Sequence, residues 1–183
     1  MKAVYPGSFD PFTNGHLEIL NQAIPLFSKI TLAVAVNPEK PNSMFGLEDR
    51  LAFLRDIASE AMDSEKIEQY FSGTSACIQI AVGSYPVKGP GALYTVDYAE
   101  SVGATHIIRG LRNGSDFEYE FAMAQINKGL NPKIRTVFFM ADTDVSSVSS
   151  SMVRGLIGPQ GWENAVKEYL PMCMWERFFK LVV

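Results

Sequence analysis

Short apolar runs alternate with segments of helical period along most of the chain, and that alternation leaves few ways to fold. Ala3–Tyr5, Ile30–Val36, Thr105–Ile108 and Thr136–Met140 have strand length, while Leu17–Phe27, Leu47–Met62, Ser115–Leu130 and Ser149–Ile157 carry apolar residues at helical spacing between them. Parallel strands must be joined by long crossovers, usually helices, so the pattern predicts an α/β fold with an open parallel sheet and helices on both faces. In the second helix Leu47, Leu51, Leu54, Ala58 and Ala61 recur at steps of four and three, which is one buried stripe. Pro25 marks the last turn of the first helix or a kink in it.

At 183 residues, close to the ~150 typical of one domain, the chain reads as a single domain over 1–183. Hydrophobic residues make up 47% and charged residues 20%, enough for a real core and too apolar for a disordered chain. Sixteen Lys and Arg against twenty Asp and Glu leave a net charge of −4, which opposes a large phosphate-backbone partner. No nucleic acid is expected, and any phosphate chemistry must be local. No apolar run approaches the ~20 residues that span a bilayer, and no signal-peptide pattern is present, so neither membrane nor secretion is expected. Cys77 and Cys173 lie far apart with neither a CxxC nor a neighbouring His, which suggests free thiols and the cytoplasm and gives no metal site.

Phe71–Gly91 breaks the rhythm. Its Ser72-Gly73-Thr74-Ser75, its apolar run Cys77–Val82 and its cluster of Gly83, Pro86, Gly89, Pro90 and Gly91 read as an extra strand or hairpin arm followed by a turn-rich loop. The expectation is an insertion at 71–90 that lies outside the core, and a helical tail over 159–183 ending in the amphipathic stretch Met172–Val183.

Three segments fall where strands give way to helices, the carboxyl edge at which open α/β sheets bind ligands. The first is Tyr5-Pro6-Gly7-Ser8-Phe9-Asp10-Pro11-Phe12-Thr13-Asn14-Gly15-His16. Gly7 and Gly15 permit close backbone approach, Ser8 offers a hydroxyl and an amide, and His16 falls in a first helical turn where an anion is favoured. The bland alternative is a turn capped by Asn14 with an incidental His. The segment is neither GxGxxG nor GxxxxGK[ST]. In the second segment, Arg109 and Arg112 flank Gly110-Leu111, and guanidinium groups are fork-shaped partners for phosphate oxygens. On the following helix Asp116, Glu120 and Asn127 share a polar face directed where the arginines point; a solvated face with ordinary ion pairs is the alternative. The third, Val148-Ser149-Ser150-Ser151-Met152-Val153-Arg154, gathers hydroxyls and free amides at a helix start, with simple capping by Ser149 or Ser150 as the alternative. Lys40 lies just past the second strand, and alone would be a surface lysine. His106, inside an apolar strand, reads as a core or interface residue.

Together, Pro6-Gly7-Ser8-Phe9-Asp10-Pro11 with Thr13-Asn14-Gly15-His16, Ile108-Arg109-Gly110-Leu111-Arg112, Asp116-Phe117-Glu118-Tyr119-Glu120 and Ser149-Ser150-Ser151-Met152-Val153-Arg154 closely resemble the phosphopantetheine adenylyltransferases. Thr-x-Gly-His is that family's form of the His-x-Gly-His signature of nucleotidylyltransferases. The resemblance covers about Met1–Met62 and Gly91–Ile157, and it implies a Rossmann-like sheet of nucleotidylyltransferase type. It further implies that Ser8, Phe9, His16, Gly110, Leu111, Arg112 and Glu120 hold ATP together with Val145, Ser146, Ser147, Val148, Ser149, Ser150 and Ser151. Ser8, Lys40, Thr95, Arg109 and Asn127 would hold 4′-phosphopantetheine, and His16, Lys40, Ser8 and Arg112 would act in catalysis. Gly155 follows Arg154 where the family usually has Glu, which implies one acceptor-side contact fewer.

The reaction implied is adenylyl transfer from ATP to 4′-phosphopantetheine, giving dephospho-coenzyme A and pyrophosphate, with Mg²⁺ carried on ATP and no carboxylate cage for it in the sequence. By analogy the chain would assemble as a homo-hexamer, with Tyr94–Ile107 as a candidate contact. The alternatives are a related nucleotidylyltransferase with another phosphorylated acceptor, such as nicotinate mononucleotide, and a nucleotide-binding protein without turnover. A Rossmann oxidoreductase is disfavoured by the missing glycine fingerprint.

Overall fold

The computed structural model describes residues 1–39, 43–63 and 78–182. In chain order the elements are β1 (Lys2–Gly7), α1 (Asn14–Ala23), a 3₁₀ turn (Ile24–Leu26), β2 (Lys29–Val36), α2 (Leu47–Ala61), β3 (Gln79–Pro86), α3 (Thr95–Ser101), β4 (His106–Leu111), α4 (Gly114–Leu130), β5 (Arg135–Met140), α5 (Ser150–Leu156), α6 (Trp162–Lys167), a second 3₁₀ turn (Met172–Met174) and α7 (Trp175–Val182). Pro25 stands in the 3₁₀ turn after α1, where its fixed φ fits and its missing N–H breaks no α-helical bond.

The five strands run in the order β3-β2-β1-β4-β5, and each neighbouring pair is parallel. Successive residues of a strand face opposite sides, so the sheet feeds two cores. Tyr5, Leu32 and Ile108 pack with Leu20 of α1, Leu54 of α2 and Phe178 of α7 on one face. Val4, Ala33 and Ile107 pack with Val96 and Ala99 of α3 on the other. The predicted stripe on α2 is observed: Leu51, Leu54 and Ala58 are buried, and Leu47 and Ala61 pack against the core from its margin. Asp56 takes a bidentate ion pair from Arg177, at 2.7 and 3.1 Å, and so ties α7 to α2.

Of the two readings of the stretch 71–90, an extra strand or an arm outside the core, the described part takes the first. Residues 79–86 are an edge strand that pairs with β2 from Lys29↔Gln79 to Val36↔Pro86, and Ile80 and Tyr85 are buried. Gly83 reads as a breaker in the sequence, but inside β3 it makes room for the Tyr98 hydroxyl, which a Cβ would strike. Phe71–Cys77, with its Ser72–Ser75 run, lies outside the described residues.

Of the candidate contact Tyr94–Ile107, Tyr94 stands exposed. Val96, Ala99 and Ile107 are spent in the chain's own core, whereas α4 leaves Phe117 and Phe121 exposed on one side and Tyr119, Ile126 and Leu130 on the other.

Two glycines test this packing in opposite directions. Gly110 of β4 lies so close to α1 that an added Cβ would stand 2.8 Å from Cγ1 of the buried Ile19. Gly110→Ala is expected to cost about 1–3 kcal/mol through overpacking. At Gly155 of α5 an added methyl meets nothing within 4 Å, so Gly155→Ala is expected to raise stability by about 0.5 kcal/mol. Urea midpoints of the two variants check both signs.

Candidate active site

The chain leaves β1 toward β2 and β3, and leaves β4 toward β5, so the order of the sheet reverses between β1 and β4. At such a switch point the loops beyond the carboxyl ends part and leave a crevice. Two clefts open there, of about 380 and 310 Å³, and both are bounded by Pro6, Gly7, Ser8, Arg109 and Glu120. The larger also reaches Arg50, Tyr85, Thr95 and Asn127. The smaller reaches His16, Gly110, Arg112 and Ser149 to Ser151. Segments more than a hundred residues apart in sequence thus meet at one edge, as their position after strands predicted.

The turn after β1 is held by its carbonyls. Arg109 donates to the Pro6 carbonyl at 3.1 Å, Arg50 to that of Ser8 at 3.1 Å, and Arg154 to that of Asp10. The Asp10 carboxylate is buried and accepts the backbone N–H groups of Met44 and Phe45 at 3.0 and 2.9 Å. Ser150 donates its hydroxyl to the Pro11 carbonyl at 2.8 Å, which joins the start of α5 to the same turn. Between these anchors Phe9 adopts φ +46°, a left-handed conformation unfavourable for a residue with a Cβ. Its ring fills the space over Gly7, where any Cβ would come within 2.8 Å of it.

His16 sits in the first turn of α1 against the rings of Phe9 and Phe12, with centroids 5.3 and 5.2 Å away. The helix is capped by Thr13, whereas Asn14 instead ties α1 to the C-terminal segment through the Glu168 and Tyr169 carbonyls. The Thr13 backbone N–H can only donate, and it reaches Nδ1 of His16 at 3.1 Å. The neutral imidazole therefore carries its proton on Nε2. Burial, and then the charges of Arg112 and Arg109, push its pKa from 6.5 down to about 4. The ring at neutral pH is an uncharged donor.

The polar stripe on α4 closes onto the arginines instead of standing beside them. Glu120 takes a bidentate pair from Arg109, with Nε to Oε2 at 2.7 Å and Nη2 to Oε1. Asp116 takes one from Arg112 at 2.8 and 3.2 Å. Burial opposes the charge of Arg109, but Glu120's hydrogen bonds and charge outweigh it and raise its pKa above the usual value. Asp116 is held below the usual carboxylate range, chiefly by the hydrogen bond from Arg112.

Asn127 lines the larger cleft, as does Thr95, whose hydroxyl is 3.0 Å from that of Tyr85. Ser149 is the N-cap of α5, accepting from Met152 N–H at 3.1 Å. Val148 also lines the smaller cleft, while Val145, Ser146 and Ser147 form the turn before it, closed by Val148 N–H to Val145 C=O at 2.9 Å. Leu111 and Phe9 are buried side chains, so either could offer a ligand only its backbone. Lys40 lies outside the described residues. His106 begins β4, at the opposite end of the sheet, and packs on Phe27.

Sequence reasoning did not find Arg50, Asp10 or Tyr85. Arg50 had a signal: with Leu54 and Ile57 it falls at steps of four and three, a guanidinium extending a buried stripe to the helix start.

Two consequences of the imidazole's environment are testable. Nitrogen-resolved NMR is expected to show His16 as the Nε2–H tautomer, with no titration between pH 8 and 5. Its folded pKa lies below its unfolded one, so the unfolded chain binds more protons between about pH 4 and 6.5. Stability is then present above pH 6.5 and falls through that window on acidification, by about 3 kcal/mol in full. His16→Gln is expected to flatten the slope, read from urea midpoints at pH 7 and 4.5.

The family pattern described as Cytidylyltransferase-like matches residues 4–156. A phosphopantetheine adenylyltransferase of Chromobacterium violaceum is 39% identical over 180 residues, covering 98% of this chain and 96% of its own. One of Geotalea daltonii is 42% identical over 153 residues, covering 83% and 80%. Among solved structures, a Plasmodium falciparum nicotinic acid mononucleotide adenylyltransferase complexed with NaAD aligns with TM-score 0.61 at 14% identity, over 98% of this chain and 94% of that one. That last likeness speaks to the fold alone. With the switch-point crevice, the Thr-x-Gly-His turn and these identities over nearly the whole length, the chain belongs to the cytidylyltransferase-like family and, within it, to the phosphopantetheine adenylyltransferases.

Proposed function

We propose that this nucleotidyltransferase moves the adenylyl group of ATP onto 4′-phosphopantetheine, releasing pyrophosphate and forming dephospho-coenzyme A. The observation that carries the reading is the wall shared by the two clefts. Ligands in both would meet at Ser8 and Arg109, where an acceptor phosphate oxygen can face the α-phosphorus of a nucleotide. The acceptor lies in the larger cleft with Arg109, Ser8, Thr95 and Asn127, and Lys40 is assigned to it on the family resemblance alone. ATP lies in the smaller cleft with Ser8 and the Phe9 backbone, His16, the Gly110-Leu111-Arg112 turn, Glu120 and the segment Val145–Ser151.

The phosphomonoester has a second pKa of about 6 and is largely dianionic at pH 7, so no general base is needed. Its oxygen forms a bond to the α-phosphorus while the bond to the bridging oxygen breaks, and pyrophosphate leaves with the electron pair. The work of the protein is alignment and charge stabilisation. The His16 Nε2–H donates to the α-phosphoryl oxygen, Lys40 spans the α-phosphate and the acceptor, and Ser150, Ser151 and Arg112 hold the β- and γ-phosphates. Because His16 is neutral, its donation adds no proton that must later be returned.

Among the described residues no group of three or more His, Cys, Asp or Glu could hold a metal ion, and the two carboxylates beside the smaller cleft are committed to arginines. These residues do not form a Mg²⁺ cage. Mg²⁺ is read as part of the Mg·ATP substrate, held by phosphate oxygens and water.

A homo-hexamer is the proposed assembly, by the family resemblance, and the exposed apolar side chains of α4 are surface that a monomer would leave in water. The proposed setting is the cytoplasm. Among the described residues no helix is long and apolar enough to cross a membrane.

Pyrophosphate release from ATP with 4′-phosphopantetheine, set against nicotinate mononucleotide, tests the function. Turnover with the first and none with the second is expected, and the reverse overturns the reading. His16→Ala is expected to keep the fold and lower kcat by about 10²-fold or more, as for loss of a donor used in the transition state. Lys40→Ala is expected to lower kcat comparably, and a change confined to the acceptor KM would make its role ground-state binding. Light scattering is expected to give six protomers; a monomer at micromolar concentration would reject that assembly.

A further inference from the structure

Arg50 belongs to α2, yet its guanidinium reaches the crevice, where it lines the larger cleft while remaining only 6% exposed. It binds two carbonyls, Gly46 through Nε at 3.4 Å and Ser8 through Nη1 at 3.1 Å. Asp10 supplies the compensating charge nearby. Ser8 borders both clefts, and the next residue, Phe9, is the one non-glycine residue with positive φ among the described residues.

We propose that Arg50 is a positioning residue that fixes the Ser8–Phe9 peptide so that its N–H, not its C=O, faces the phosphates of the bound nucleotide. The inference rests on the nucleotide assignment of the smaller cleft. In a trans peptide the C=O and N–H point in opposite directions, so a Ser8 carbonyl drawn toward Arg50 sends the Phe9 N–H away from the larger cleft. Without that bond the strained turn has a ready relaxation, in which the peptide rotates and sets a partial negative charge against an anionic ligand. Lysine cannot reproduce the effect, because a single ammonium on a flexible stem lacks the fork that spans the Gly46 and Ser8 carbonyls.

The test compares Arg50→Lys and Arg50→Gln with wild type. The readouts are calorimetric Kd for a non-hydrolysable ATP analogue without acceptor, kcat and acceptor KM, and Tm. A positioning role gives an analogue Kd raised about tenfold and kcat lowered at least tenfold in both variants. Acceptor KM would stay within threefold, and the Tm of Arg50→Lys within a few degrees of wild type. Analogue affinity within twofold of wild type overturns the proposal, as does a loss in Arg50→Lys accompanied by a Tm drop large enough to signal a damaged fold. It is overturned equally if wild type does not bind the analogue. If wild type binds it but releases no pyrophosphate with 4′-phosphopantetheine, the functional reading fails alone, and the comparison of affinities still decides the role of Arg50.

Discussion

Three guanidinium groups hold three alternate carbonyls at the end of β1 and in the turn after it, and the rest of the site depends on that arrangement. Arg109, Arg50 and Arg154 arrive from β4, α2 and α5, and meet the carbonyls of Pro6, Ser8 and Asp10. On the proposed function this turn receives an anion and must keep its carbonyl dipoles away from it, for which a permanent cation in a fixed fork is a strong partner. The same bonds tie the edges of three separate βα units together, so the crevice at the sheet's switch point becomes a defined cleft and not a gap between loops. The chain as a whole is acidic, at −4, yet four of its sixteen Lys and Arg, namely Arg50, Arg109, Arg112 and Arg154, border the two clefts.

The carboxylates of α4 complete the electrostatics. Glu120 and Asp116 hold Arg109 and Arg112 in bidentate geometry, so the protein itself orders both cations, and on the proposed function they lose less conformational entropy on binding a phosphate. The two arginines, added to burial, keep His16 uncharged, and the Thr13 N–H fixes which nitrogen bears the proton. Charge is carried by residues that cannot lose it, and directional donation by one that has none to lose.

Much of this was legible in the sequence because it rests on local rules. The alternation of apolar runs with helical stripes gave four of the five strands, and the segments around His16, Arg109 and Ser150 stood where strands end, so their convergence followed from topology. What escaped notice depends on contacts between distant residues. Gly83 reads as a turn signal until Tyr98 is seen packed against it, so the sequence leaves open whether this stretch is an extra strand or an outlying arm, and the pairing with β2 decides it. Arg50 reads as an ordinary charge in a helix until the Ser8 carbonyl is found beside it. Asp116 and Glu120 share a face, but whether that face looks outward or back at the arginines depends on how α4 sits over β4, which helical period cannot specify.

On the proposed function the protein brings two ligands together across one shared wall and takes no covalent part in the transfer. The stereochemical course at the α-phosphorus tests this directly. With ATP made chiral at that position by sulfur substitution, a single in-line displacement by the acceptor oxygen predicts a dephospho-coenzyme A product of inverted configuration. Retention would require two successive displacements through an adenylylated side chain, and would contradict the account.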